Sequence, residues 1–284
     1  MATVGSLSTT IRKMVGDPDR DWLDENTAFD FINRSQRRFC HKVLPLDEFE
    51  DYTITAKKVR YDLPTNTIIP VYVHWFQSRT QKLEYTPPDV WAQVVEAHPN
   101  ASGIPERYTV LRRQLTVGPQ TPQTASKNTT ASGAMSSTTA TLDLVAASGT
   151  FRSKGWVKID SEIIEYTGVA TTTLTGATRG VHGTSGASHA SGTTLTEIDM
   201  QMLHRKTPTI ITASGDTPEI PAAFHDYLEK YAVYLAWLAN GETQKAQAAL
   251  QEFMEYENSA VKTVGRRAQD GLLHIQEKRR RGRW

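Results

Sequence analysis

The clearest hydrophobic pattern runs through Phe224, Leu228, Tyr231, Leu235 and Leu238, which recur at three- and four-residue steps, the stripe of a helix with one buried face. Pro221 stands just ahead, where a helix start loses nothing by a missing N–H. Asn240-Gly241 breaks the pattern, and Ala246, Ala249, Leu250, Phe253, Ala260 and Val261 resume it. Two such helices joined by a tight turn form an antiparallel hairpin. Near the N-terminus a short helical pattern runs from Leu7 to Val15 and stops at Gly16-Asp17-Pro18. Another starts at Asp24, which is suited to cap the amides of the next turn. It carries Phe29, Ile32, Phe39 and Val43 on one side and closes at Pro45. Its other side holds Arg34, Arg37, Arg38 and Lys42, which reads as a solvated face. Together these helices predict a bundle of about four.

Between the helical ends the pattern is extended. Val59 to Pro64 and Ile68 to Phe76 read as β-rich stretches, and Arg107 to Val117 as one strand ending at Gly118-Pro119. Ile198 to His204 has the same character, so the simplest joining is a hairpin whose loop has been expanded. Such expansion is cheap, because closure entropy grows only logarithmically with loop length. The expanded loop, from about 123 to 197, is dominated by Gly, Ala, Ser and Thr. Residues 123 to about 137 have little to bury and read as flexible. Beyond them Leu142 and Leu144 alternate, and Phe151 and Trp156 supply bulk. Val157-Lys158-Ile159 then runs to Ile163-Ile164-Glu165-Tyr166 through a hairpin tip at Asp160-Ser161, and Leu174 lies in a third short strand.

The expected fold class is therefore α+β. Residues 1–122 and 198–265 form a helical bundle with a β-hairpin or small sheet, 123–197 an inserted small all-β domain with a flexible lead-in, and 266–284 a basic tail. The formal net charge of the 284 residues is +1, so no global field draws the chain onto nucleic acid or membrane. No run of about eighteen apolar residues encodes a membrane span, and the opening Met-Ala-Thr-Val-Gly-Ser lacks a signal region. Cys40, the single cysteine, excludes a disulfide within the chain and a thiolate zinc cluster. Beside Phe39 and Val43 it reads as a small buried hydrophobe.

Candidate chemistry is sparse. Asp160, Glu162 and Glu165 form the densest carboxylate cluster, with Tyr166 beside them. A glycosidase needs two carboxylates on facing walls of a cleft, one with a raised pKa. Here they share one hairpin and read as exposed, solubilising charges. His182 and His189 lack metal-ligand spacing and read as turn residues of a Gly-rich loop, while His41, His204, His225 and His274 are isolated. Neither a phosphate-cradling Gly motif nor a Gly-x-Ser-x-Gly elbow is present. No cofactor and no enzymatic activity are expected. Beyond Gly265, Leu272, Leu273 and Ile275 form an apolar knot, followed by Lys278-Arg279-Arg280-Arg281-Gly282-Arg283-Trp284. Such a run could neutralise phosphates. The knot and Trp284 argue instead for an anchor in a protein groove, ringed by arginine–carboxylate pairs.

Taken together, the chain resembles the head-to-tail adaptor (connector) proteins of tailed bacteriophages. The resemblance rests on Trp22-Leu23, Phe31-Ile32-Asn33-Arg34-Ser35-Gln36-Arg37 and Tyr61-Asp62-Leu63-Pro64, then on Gly103-Ile104-Pro105-Glu106-Arg107-Tyr108 and Leu115 to Pro119. Glu219-Ile220-Pro221, Phe224 to Leu228 and Asn240-Gly241-Glu242 complete it. Separately, Gly155 to Gly168 and Leu174 to Gly180, with His182-Gly183-Thr184, His189 and Gly192-Thr193, resemble a small β-module of phage tail and fibre-associated proteins. The first resemblance implies a homo-oligomeric, dodecameric ring under the portal protein, bound below to a tail nozzle or tube protein, with double-stranded DNA passing through without sequence preference. It implies a virion neck component assembled in the host cytoplasm. Its portal-docking residues would be Leu272, Leu273, Ile275, Arg279, Arg280, Arg281, Arg283 and Trp284. The insert would dock a tail fibre or spike through exposed Trp156 and Tyr166. Two other readings are a tail-fibre or receptor-binding protein and a virion-associated lysin.

Overall fold

The computed structural model describes residues 2–19, 21–76, 81–98, 101–122, 124–145 and 151–281, with side chains described as far as Val264. The chain divides into two compact units, residues 1–46 with 206–284, and residues 47–205. Helices α1 (Val4–Met14) and α2 (Glu25–Lys42) come first, α3 (Pro88–Glu96) lies in the second unit, and α4 (His225–Ala239) and α5 (Thr243–Arg281) follow.

In the first unit α4 packs against α1, α2 and α5. The Asp24 carboxylate caps α2, accepting from the Thr27 amide at 2.9 Å. Asp17 ties the α1–α2 turn by accepting from the amides of Asp21, Trp22 and Leu23. The centre of the bundle is a set of edge-on rings, Tyr227 against Phe39 at 5.1 Å and against Phe253 at 4.9 Å. On α4 the buried face is turned from the expected stripe: Tyr227, Leu228, Ala232 and Ala236 are buried, whereas Leu238 is 50% exposed. The cause is contact with three helices, which brings the small alanines inward. Arg38, read from sequence as solvated, makes a two-pronged pair with Glu257 at 2.8 and 2.9 Å and lies over the rings of Tyr231 and Phe253. Cys40 is buried, and burial pushes its thiol up to about 11. Helix α5 runs on past Gly265 to Arg281.

The second unit begins with β1 (Leu46–Tyr52), β2 (Arg60–Asp62), β3 (Thr67–Trp75), β4 (Gln81–Lys82), β5 (Glu84–Tyr85), β6 (Arg107–Leu111) and β7 (Gln114–Gly118). It continues with β8 (Asn128–Thr130), β9 (Thr141–Asp143), β10 (Gly155–Ile159), β11 (Glu162–Tyr166), β12 (Gly168–Ala170), β13 (Thr173–Thr175), β14 (Thr194–Glu197) and β15 (Met200–Lys206). Two sheets, ordered β1-β15-β3-β4 and β2-β7-β6-β5, share a core that includes Tyr61, Trp75, Leu83, Leu115, Met200 and Met202. Residues 107–117 are a hairpin here rather than one strand. Arg112 and Arg113 turn it with φ of 49° and 63°, and β6 pairs with β7 in the register Val110↔Leu115. Two-residue turns of this hand usually carry Asn-Gly, so the sequence holds no turn signal. The expected pairing of 107–117 with 198–204 is likewise corrected, since β7 and β15 lie in different sheets.

Residues 123–197 form two further sheets, β11-β10-β14-β8 and β12-β13-β9. Between them Leu142, Val157, Ile159, Ile164, Tyr166, Leu174 and Leu195 are fully buried. The lead-in, expected to be flexible, is paired: β8 bonds β14, Ala131 and Met135 are buried, and Met135 bridges to His189. Two apolar side chains and a ladder of backbone bonds outweigh its Thr/Ser/Ala composition.

Candidate functional site

The β10–β11 hairpin turns at Asp160, whose φ is 51°. Its inward side chains build a cluster of buried charge. Glu162 is fully buried. It accepts from Arg179 Nε and Nη2, both at 2.7 Å, from the Gly180 and Ala187 amides at 3.0 Å, and from His189 Nε2 at 2.8 Å. His189 Nδ1 lies 2.8 Å from Asp160 Oδ2. A carboxylate oxygen thus stands opposite each ring nitrogen of His189. Burial by itself would raise the Glu162 carboxyl. The Arg179 guanidinium, the Ala187 amide and the His189 ring outweigh it and hold the pKa down to about 2. The sequence reading of this cluster as exposed and unperturbed is thus corrected for Glu162, while Asp160 is 62% exposed. An acceptor so saturated by donors pins the loop from Arg179 to His189 and has no lone pair to spare for chemistry.

A second polar group ties the insert to the sheet carrying β1 and β15. His182, in the left-handed region at φ 54°, sets its Nδ1 2.8 Å from Asp51 Oδ2. Asp51 Oδ1 in turn accepts from Gln201 Nε2 at 2.8 Å. The imidazole sits between the rings of Phe49, at 5.8 Å, and Trp156, at 5.3 Å, and Trp156 continues to Phe76 at 5.2 Å. Arg152 Nε donates to Glu197 at 3.0 Å, and its Nη2 bonds the Ile198 carbonyl and lies 3.5 Å from Asp199. Burial pushes the Asp199 carboxyl up to about 6 against the opposing pull of Arg152 and Ser126.

Tyr166, expected beside Trp156 as an exposed docking aromatic, points inward instead and is fully buried, its hydroxyl donating to Glu197 at 2.6 Å. Burial and that carboxylate push the phenol well above its ordinary range. The error is one of register: Val157, Ile159, Ile164 and Tyr166 share the inner face, which leaves Trp156 half-buried on the outer one. Asp51, Arg152, Asp199 and Gln201 were missed, since nothing local in the sequence marks them as partners of the insert. Leu272, Leu273, Ile275, Arg279, Arg280 and Arg281 fall in the last turns of α5, and their side chains lie outside the described residues, as do Arg283 and Trp284 altogether. Among the described residues no three His, Cys, Asp or Glu are grouped to hold a metal, and no helix is long and apolar enough to cross a membrane.

Polar groups spent on one another, over separate bundle and sheet cores, define a scaffold. The comparison with known families is specific about which kind: the chain belongs to the SU10 adaptor protein family, whose model matches residues 2–276. It is a phage structural adaptor, a component of the virion that associates with other phage structural proteins. No curated protein matches the chain.

Proposed function

We propose that this adaptor joins head to tail. Twelve-fold or similar copies form a ring beneath the portal protein, continue the DNA channel, and meet a tail nozzle or tube protein below. The observation that carries this reading is the family match over residues 2–276. Support comes from α5, which continues beyond Gly265 through Leu272, Leu273 and Ile275 to Arg279–Arg281. This segment is the portal anchor, its apolar residues seated in a groove and its arginines paired with acidic groups around it. The insert adds surface outside the bundle for a fibre or spike, and Val169 on β12 and Val145 stand 38% and 62% exposed there. Passing DNA touches the ring through phosphates alone, without sequence preference. Assembly takes place in the host cytoplasm.

The test is a reconstitution with the portal protein, followed by class averages of the neck in the electron microscope. Full-length chain is expected to dock as a ring. A chain ending at Val264 is expected to keep its bundle, seen by helical circular dichroism, and to lose docking. Truncated protein that docks at wild-type affinity would overturn the anchor assignment.

A further inference from the structure

The outer face of the β10–β11 hairpin carries a feature the adaptor role does not use. Residues directly opposite on an antiparallel pair share a face, and the register sets Trp156 against Glu165. A cleft of about 270 Å³ opens over this face, walled by Phe76 and Trp156 and bordered by Lys154, Glu165 and Thr167. Beneath it lies Gly155, where a Cβ would come within 3.1 Å of the Tyr166 hydroxyl and 3.2 Å of the Arg152 guanidinium. The missing side chain lets the buried Tyr166 hydroxyl and the partly buried Arg152 guanidinium close up under the cleft.

Nearby charges are spent on one another, Arg152 on Glu197 and Glu162 on Arg179 and His189. The side chains of Lys154 and Glu165 are different: neither has a hydrogen-bond or ion-pair partner among the described residues. One ammonium and one carboxylate therefore stand open beside a half-buried indole. A cationic ligand would meet Lys154, and an anionic one Glu165. A purely apolar group would strip water from both charges without replacing it. A ring of hydroxyls satisfies all three demands, since each hydroxyl both donates and accepts and the ring's C–H edges can lie against the half-buried Trp156.

We propose that this cleft binds a saccharide, with a neutral pyranose against Trp156 and its hydroxyls shared between Lys154 and Glu165. The site goes beyond the adaptor role and does not depend on it. Full-length protein is titrated with glucose, galactose and N-acetylglucosamine, and with short oligomers of glucose and of N-acetylglucosamine, by saturation-transfer NMR and calorimetry. At least one of these sugars is expected to receive magnetisation from the protein. Glu165→Gln is expected to weaken its binding about tenfold, the loss of one charged hydrogen bond, and Trp156→Ala to abolish it. Because the Glu165 side chain has no partner among the described residues, that variant is expected to keep its fold, which hydrogen exchange across β10 and β11 verifies. Three results would overturn the proposal: no transfer to any named sugar, sugar binding that survives both substitutions, or variant particles that lose a tail protein while no sugar binds.

Discussion

Replacing Glu162 by glutamine isolates what holds the insert's long loop in place. Glutamine keeps the shape and one acceptor, but turns the other oxygen into an NH2 that faces donors. It also leaves the Arg179 guanidinium, 8% exposed, without its carboxylate and with only the Ser136 and Ala187 carbonyls as acceptors. Removing one partner of a buried pair in this way costs about 3–5 kcal/mol. The carboxyl itself gives a second measure. Its pKa is held down to about 2 from an ordinary 4.5, and at ~1.4 kcal/mol per unit that corresponds to roughly 3 kcal/mol. Since the folded value is the lower one, this stabilisation is complete above pH 4.5 and drains away as pH falls toward 2. The chain has two units, so a global melt would mix their signals. Hydrogen exchange of amides 155–197 reads the insert directly. Glu162→Gln is expected to lose about 3 kcal/mol of protection there at pH 7, and most of the wild type's acid sensitivity between pH 4.5 and 2. Glu165→Gln, which removes no internal partner, serves as the control and should stay within about 0.5 kcal/mol. Protection in Glu162→Gln within about 1 kcal/mol of wild type would refute the reasoning.

Other outcomes follow from the same geometry. Asp199 holds its proton more tightly folded than unfolded, so stability should fall as pH rises from 3.8 to about 6; Asp199→Asn should flatten that fall, and a carboxyl NMR titration centred near 4 would contradict it. Arg38→Lys cannot keep both hydrogen bonds to Glu257 or the guanidinium stacking on Tyr231 and Phe253, and should cost the bundle about 1–2 kcal/mol in a denaturant melt. Cutting out residues 124–196 should lower the melting temperature of the 47–205 unit, because it uncovers Phe76, Asp51 and Gln201 and leaves β7 and β15 without a common turn; an unchanged melt would show that the insert gives the sheets no support.

The bundle was legible because its information is local. Asp24 caps where a cap belongs, and the three- and four-residue stripes mark which helices share a core. The Asp160-Ser161 hairpin was legible for the same reason, with apolar runs on both sides of a polar pair. Strand pairing was not. The turn at Arg112-Arg113 uses two bulky residues in a conformation that normally selects Asn or Gly, and its cost is met by the ladders on either side. Helix α3 had a visible start in Pro88, at a position suited to proline, yet Trp91 is its one buried side chain and leaves no stripe to read. The buried charge was hidden for another reason. Glu162 is kept ionised by groups 17 to 27 positions away, and a carboxylate next to the Asp160-Ser161 tip looks solvated until those partners are in place.

The strands that carry the insert are β7 and β15, and each is an interior member of its own four-stranded sheet. That placement decides how the insert bears load. A module hung from one hairpin can be peeled away bond by bond, with its two legs separating from the tip. Here the legs are anchored apart, each gripped by a neighbouring strand on both sides. A pull on the insert is divided between two sheets and must slide an interior strand lengthwise, breaking many bonds together. Whatever is tethered to residues 123–197 is therefore fastened to the protein as by two rivets, and tension along the tether is carried into the sheets rather than into the loop.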